Sequence, residues 1–266
     1  MFTMRFDMRA LSFGAPAAAL YSAAADMCAW AETRGCIAAV LCEHHGSDDG
    51  YLPSPIVLAS AIAARTQRLP LNITVILPFY DPVRLAEDLC LLDIISGGRV
   101  SVTFGIGYRP EEYQHFGLNI RRRGRLADEK LDLLRKLLSD AHVVHDGRHI
   151  AVTPRPHTTG GPTLMWGGAS LAAARRAGRY GLGLLANGGE PGMQEAYECA
   201  ASEYGHSPGP VLVPPLCAGL PPELAWPYLE RVGEMVIPAA ARTGSAPRDD
   251  GLAEALTELV SKGSEQ

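Results

Sequence analysis

No apolar run in this chain reaches the roughly 18 residues that a membrane-spanning helix needs, so a bilayer is not its expected environment. Basic excess is missing too. The 24 Lys and Arg are outnumbered by 29 Asp and Glu, the net charge is −5, and no long basic run occurs. That disfavours nucleic acid and anionic membrane as partners. The densest basic cluster, "RRRGR" at 121–125, opens a helical pattern and reads as a solvated helix start. The six cysteines, Cys28, Cys36, Cys42, Cys90, Cys199 and Cys217, contain no CxxC pair, and no secretory signal precedes them. They read as reduced thiols, mostly small buried apolar residues, in a cytoplasmic protein. No linker-like stretch divides the chain, so one domain over 1–266 is expected.

What is present is alternation. With 266 residues, 47% of them apolar, the chain can bury one large α/β core. "MRFDMRALSF" spaces Met4, Phe6 and Met8 at period two and predicts a first strand. Helix is expected over 17–34, ended by Gly35. "CIAAVLC" at 36–42 reads as a strand buried on both faces. Helix over 55–66 and strand over 69–77 follow. Asp81-Pro82 then caps a helix that carries Leu85, Leu89 and Leu92 on one face, and Gly97-Gly98 ends it. Strand over 99–105 leads to a longer helix with Ala127, Leu131, Leu134 and Leu138 inward. "HVVHDGRHIAV" at 142–152 predicts a hairpin turning at Asp146-Gly147, an excursion from the core. Strands at 163–166, 182–186 and 211–216 and helices at 170–180, 191–204 and 221–240 restore the rhythm. A polar tail runs from 243 to 266. Repeated strand–helix units imply a parallel sheet with right-handed crossovers, and their number implies an α/β TIM-like (β/α)8 barrel.

A barrel of this kind places its active site where the strands end. Glu43, His44 and His45 follow the second strand, and Phe79, Tyr80 and Asp81 follow the third. Gly107, Tyr108 and Arg109 follow the fourth; Gly167, Gly168, Ala169 and Ser170 follow the fifth. "GGAS" at 167–170 opens a helix and reads either as a phosphate cradle or as a plain tight turn. "GIGYRP" at 105–110 resembles the start of a dinucleotide fingerprint, but Pro110 stands where the third glycine belongs, so that site is rejected. In an extended segment His44 and His45 point to opposite faces, which makes a metal clamp poor geometry, and no metal is expected. A single imidazole at the rim suits acid–base work beside a cofactor.

The run "DPVRLAEDLCLLDIISGGR" at 81–99, with its flanks from Glu43 to Gly117, resembles the luciferase-like monooxygenase superfamily. That group includes bacterial luciferase, flavin monooxygenases and deazaflavin-dependent oxidoreductases. Residues 153–181 and 218–230 resemble it as well. The resemblance implies an enzyme that binds reduced FMN, supplied by a flavin reductase, and oxygenates a small organic substrate. The alternatives are hydride transfer with F420 and flavin binding without catalysis. His44 matches the histidine implicated in catalysis, and Glu43 the acid beside it. Ile73 and Thr74 match a strand bulge beneath the flavin ring where the family tends to place a non-prolyl cis peptide. Gly107, Tyr108 and Arg109 lie where the fourth-strand loop meets the cofactor, and Gly167, Gly168, Ala169 and Ser170 match its phosphate loop. Tyr80 and Phe79 would wall the substrate pocket. After "SPGPVLVPP" at 207–215 the chain is shorter than the pattern, so the barrel is expected to lack one strand–helix unit near the C-terminus. Exposed strand edges there would be covered by the C-terminal segment or by a second copy in a homodimer.

Overall fold

The computed structural model describes residues 2–10, 15–34, 36–186, 189–209 and the backbone of 211–212. Contacts group them into two compact units, Phe2–Gly167 and the residues from Gly168 on. In the first unit five strands lie side by side in chain order, each parallel to the next. They are β1 (Phe2–Phe6), β2 (Cys36–Leu41), β3 (Leu71–Ile76), β4 (Val100–Gly105) and β7 (Thr163–Gly167). Helices α1 (Ala17–Glu32), α2 (Pro55–Arg65) and α3 (Pro82–Ser96) make the first three crossovers. Between β4 and β7 the chain forms α4 (Pro110–His115), α5 (Arg123–Ser139) and a hairpin of β5 (His142–His145) and β6 (Arg148–Ala151).

Local chemistry accounts for these elements. The Asp81 carboxylate accepts from the Val83 and Arg84 N–H groups at 2.9 and 3.0 Å, capping α3 ahead of Pro82. Leu85, Leu89 and Leu92 are buried on its inner face, and α5 buries Ala127, Leu131, Leu134 and Leu138. Each such leucine contributes roughly 1.5–3 kcal/mol. Arg121, Arg122 and Arg125 stay exposed at the start of α5. Asp146 and Gly147 both take positive φ, +48° and +71°, which suits a two-residue hairpin turn. The hairpin forms its own two-stranded sheet, apart from the parallel strands.

Three expectations are corrected. The first strand stops at Phe6, because Met8 has φ +61° and leaves the extended path. The second is not buried on both faces, since Ile37 is 44% exposed. Ile73 and Thr74 form no bulge and no cis peptide. The β3–β4 register runs unbroken from Leu71 opposite Val100 to Ile76 opposite Gly105, and among the described residues the one cis bond is Thr153–Pro154. An uninterrupted ladder needs trans geometry there, and a cis bond before a residue other than proline would cost about 3–4 kcal/mol.

In the second unit Ser170 caps α6 (Leu171–Tyr180), its hydroxyl accepting from Ala173 N at 3.3 Å. Strand β8 (Gly183–Leu185) pairs in parallel with β9 (Val211–Leu212), and α7 (Met193–Glu203) packs on α6. Buried Tyr197 ties the unit together. Its hydroxyl donates to Leu182 O at 2.9 Å and accepts from Gly209 N at 2.8 Å. The expected helix over 221–240, the shortened stretch after 215 and the tail over 243–266 lie outside the described residues. Among the described residues no helix is long and apolar enough to cross a membrane.

Candidate active site

The C-terminal ends of β2, β3 and β4 converge on one cluster of imidazoles, carboxylates and rings. The two histidines part, as an extended backbone requires. His44 turns to α4, where its Nδ1 lies 2.7 Å from Glu112 Oε1, while its Nε2 lies 3.3 Å from the Tyr108 hydroxyl. Tyr51 and Tyr108 stand edge-on to the His44 ring, at 4.8 and 5.4 Å between centroids. His45 turns the other way. Its Nε2 meets Glu43 Oε1 at 2.9 Å, and its ring lies edge-on to Phe79 and Phe116.

Glu43 is only 3% exposed. Besides His45, it accepts from the Tyr80 hydroxyl at 2.6 Å and from the Ile76 N–H. A buried carboxylate with this many donors is held in one orientation. It ties the end of β2 to the end of β3. Burial first, and the Glu43 charge second, push the Tyr80 phenol well above its ordinary range. From α5, Lys130 Nζ donates to Pro78 O and Tyr80 O, both at 2.6 Å, and so clamps the turn that carries Phe79 and Tyr80. Desolvation lowers that ammonium below its usual range.

Gly107 has φ +68°, and a Cβ there would lie 3.0 Å from Ile76 Cγ2, so the turn after β4 needs glycine. That turn presents Tyr108, which is 68% exposed, with the Arg109 guanidinium 5.9 Å from its ring centre. Tyr113 donates its hydroxyl to Ile106 O behind the turn. Thr74 is half-buried, whereas the Ile73 side chain is wholly buried. Among the described residues no group of His, Cys, Asp and Glu is arranged to hold a metal.

In the second unit Gly168, Ala169 and Ser170 form the turn into α6. A Cβ on Gly168 would lie 2.6 Å from Ala173 Cβ, so the backbone approaches the helix as only glycine allows. The Leu171 N–H donates to Glu190 Oε2 at 3.0 Å, and Glu190 N bonds back to Ala169 O. The Leu171 N–H at this helix terminus is thus occupied by a carboxylate of the chain itself.

Sequence reasoning missed Glu112, Tyr51 and Lys130. Glu112 was legible only in part. "YRPEEYQH" signals a short helix start after the fourth strand, but which of Glu111 and Glu112 turns inward is a matter of helix phase.

Comparison with known proteins agrees with this architecture. The family described as luciferase-like monooxygenase matches residues 4–246. The 4-hydroxyprotoasukamycin monooxygenase of Streptomyces nodosus subsp. asukaensis is 29% identical over 175 residues, covering 62% of this chain and 47% of that protein. The alkanal monooxygenase alpha chain of Photorhabdus luminescens is 29% identical over 177 residues, covering 62% and 49%. The chain therefore matches about half the length of these relatives. Among solved structures, monooxygenase RslO1 from Streptomyces bottropensis is similar with a TM-score of 0.72 and 25% identity, over 92% of this chain and 80% of that one. The oxygenating constituent of 3,6-diketocamphane monooxygenase from Pseudomonas putida, in complex with FMN, shares the fold at a TM-score of 0.65 and 19% identity, over 78% and 64%. The fold is the TIM-like α/β fold of these enzymes, and the chain belongs to the luciferase-like monooxygenase family.

Proposed function

We propose that this chain is a flavin-dependent monooxygenase that uses reduced FMN, delivered by a separate reductase, to oxygenate a small organic substrate. The observation that carries the reading is His44: its Nδ1 rests on a buried carboxylate while its Nε2 opens toward exposed Tyr108. Family membership and the FMN complex of a structural neighbour support the choice of cofactor. The residues after β2 and β4 suit such a group: His44 Nε2 lies 3.3 Å from the hydroxyl of exposed Tyr108.

Reduced FMN would supply the electrons that activate oxygen. The chain's own groups do the rest. Gly167, Gly168, Ala169 and Ser170 would hold the cofactor phosphate, and Gly107, Tyr108 and Arg109 would meet the cofactor from the turn after β4. His44 accepts or returns a proton at Nε2. Glu43 acts as a positioning residue, its oxygens occupied by Ile76, Tyr80 and His45. Phe79 and Tyr80 would border the substrate, and the aromatic lining keeps water from the reacting centre.

Assembly as a homodimer belongs to the same proposal. Trp30, Val57, Leu91, Ile94 and Ile95 are exposed on the neighbouring helices α1, α2 and α3, and an apolar surface of that kind suits a second copy. Relatives named as alpha and beta chains support assembly in general rather than pairing of identical copies.

The test is binding and turnover with each reduced cofactor. Reduced FMN should bind saturably and consume oxygen when substrate is present. His44→Ala should lower turnover by roughly 10²–10⁴-fold with binding retained. Saturable binding of reduced F420 with none of FMN would replace the oxygenase reading by hydride transfer. Unchanged turnover in His44→Ala would remove His44 from the mechanism.

A further inference from the structure

Glu112 stands on the first turn of α4 with its side chain turned inward, 1% exposed. One of its oxygens does two things at once. Oε1 accepts from the His45 backbone N–H at 3.0 Å and meets His44 Nδ1 at 2.7 Å. The backbone N–H is a donor under all conditions, so Oε1 is an acceptor. A bare Nδ1 facing that oxygen would set lone pair against lone pair. His44 therefore carries its proton on Nδ1. In the neutral ring Nε2 is then left as the acceptor, in line with the Tyr108 hydroxyl at 3.3 Å.

The other oxygen of Glu112 makes the role plainer. Oε2 is buried and has no hydrogen-bond partner among the described residues. Leaving a buried polar atom unpaired costs about 1–3 kcal/mol. A side chain kept only to pin α4 to the end of β2 needs a single acceptor for the His45 N–H, and a carboxylate with one idle oxygen is a poor choice for that. Contact with the imidazole is what the carboxylate adds.

We propose that Glu112 is the positioning residue of this site: it locks His44 into the Nδ1–H form, so that Nε2 is the one nitrogen through which protons pass. An imidazole without such a partner populates both tautomers, and part of it would present N–H where an acceptor is needed. Tyr51 and Tyr108, edge-on to the ring, limit its rotation. Glu112 then sets its tautomer. The proposal rests on the reading of His44 as the proton-handling group, but its first test does not use the cofactor.

That test is ¹⁵N NMR of the cofactor-free protein with labelled histidine. In the neutral form of its ring, His44 should show a protonated Nδ1 and a bare Nε2. Glu112→Ala should give a mixture of tautomers. Glu112→Gln keeps an oxygen for Nδ1 and for the His45 N–H, so it should restore the Nδ1–H form even if the alanine variant folds poorly. In turnover, Glu112→Ala should lose roughly 10–100-fold in kcat, as partners of functional histidines do. Its KM for reduced FMN should stay within about threefold of wild type, because Glu112 is 1% exposed and offers a ligand no surface. Glu112→Gln should recover most of the loss. A wild-type His44 protonated on Nε2 overturns the proposal, and so does a folded Glu112→Ala protein that keeps both the Nδ1–H form and full kcat. A correct tautomer pattern in a protein that never turns over reduced FMN would leave Glu112's role standing and count against the flavin reading instead.

Discussion

Removing the Glu43 carboxylate should destabilise the fold by a definite amount, and in a definite order of variants. The side chain accepts from three donors in the interior: Ile76 N–H, Tyr80 hydroxyl and His45 Nε2. Glu43→Ala strands all three. One stranded buried donor costs about 1–3 kcal/mol, and three are stranded here. The expected loss is therefore about 4 kcal/mol. Glu43→Gln behaves differently. The Ile76 N–H cannot change role, so the amide oxygen must face it and the amide NH2 must face Tyr80 and His45. A phenol and an imidazole can both turn acceptor. What remains lost is the charge assistance, about 1 kcal/mol. Urea denaturation reads this directly. With a slope near 2–3 kcal/mol per molar, the alanine midpoint should drop by on the order of 1.5 M and the glutamine midpoint by about 0.4 M. Because Glu43 positions its neighbours rather than transferring protons, Glu43→Gln should also keep most of its turnover. The reasoning is refuted if Glu43→Ala unfolds within 1 kcal/mol of wild type, or if Glu43→Gln is stable yet as inactive as His44→Ala.

Lys130→Met removes two ammonium–carbonyl bonds that hold the Phe79–Tyr80 turn, and should cost about 2 kcal/mol by urea denaturation, with a rise in KM for substrate; unchanged values for both would show that the clamp is idle. Gly107→Ala places a side chain at φ +68° against Ile76, so thermal melting should show a loss of about 1–2 kcal/mol and turnover should fall through displaced Tyr108. Burial raises the Tyr51 and Tyr113 phenols and the Cys28 thiol to about 12, from ordinary values of 10.0, 10.0 and 9.0. For each group the folded state holds the proton more tightly than the unfolded chain. That stability is fully present below the ordinary value and drains away as pH rises toward about 12. Urea midpoints measured upward from about pH 9 should fall steadily, with the buried tyrosines ionising only on unfolding; a flat profile would contradict their burial.

Much of the fold was written in short-range chemistry. Asp81-Pro82 and Gly97 bracket α3 because a carboxylate satisfies the first free N–H groups and a residue with positive φ closes the last turn. Leu85, Leu89 and Leu92 recur at helical spacing and are buried accordingly. Asp146-Gly147 turns the hairpin because both central positions need left-handed backbone. Position in the chain, just past a strand, was also enough to single out Glu43, His44, Tyr80 and Tyr108 as a group. These signals act within a few residues, so one linear sequence carries them.

Partner choice was decided elsewhere. Glu112 is 68 residues from His44 and Lys130 is 50 from Tyr80, and no local pattern couples either pair. The expectation that Ile73 and Thr74 sit at a cis bulge failed for the same reason. Whether a strand bends depends on the ladder beside it, and here β4 pairs with it residue for residue. The sequence alone determined which segments become strands and helices and which ends carry reactive side chains, because propensity, capping and periodicity are local. Only tertiary packing decided that one carboxylate meets His44 and the other meets His45, because which buried donor finds which acceptor is settled by the whole core at once.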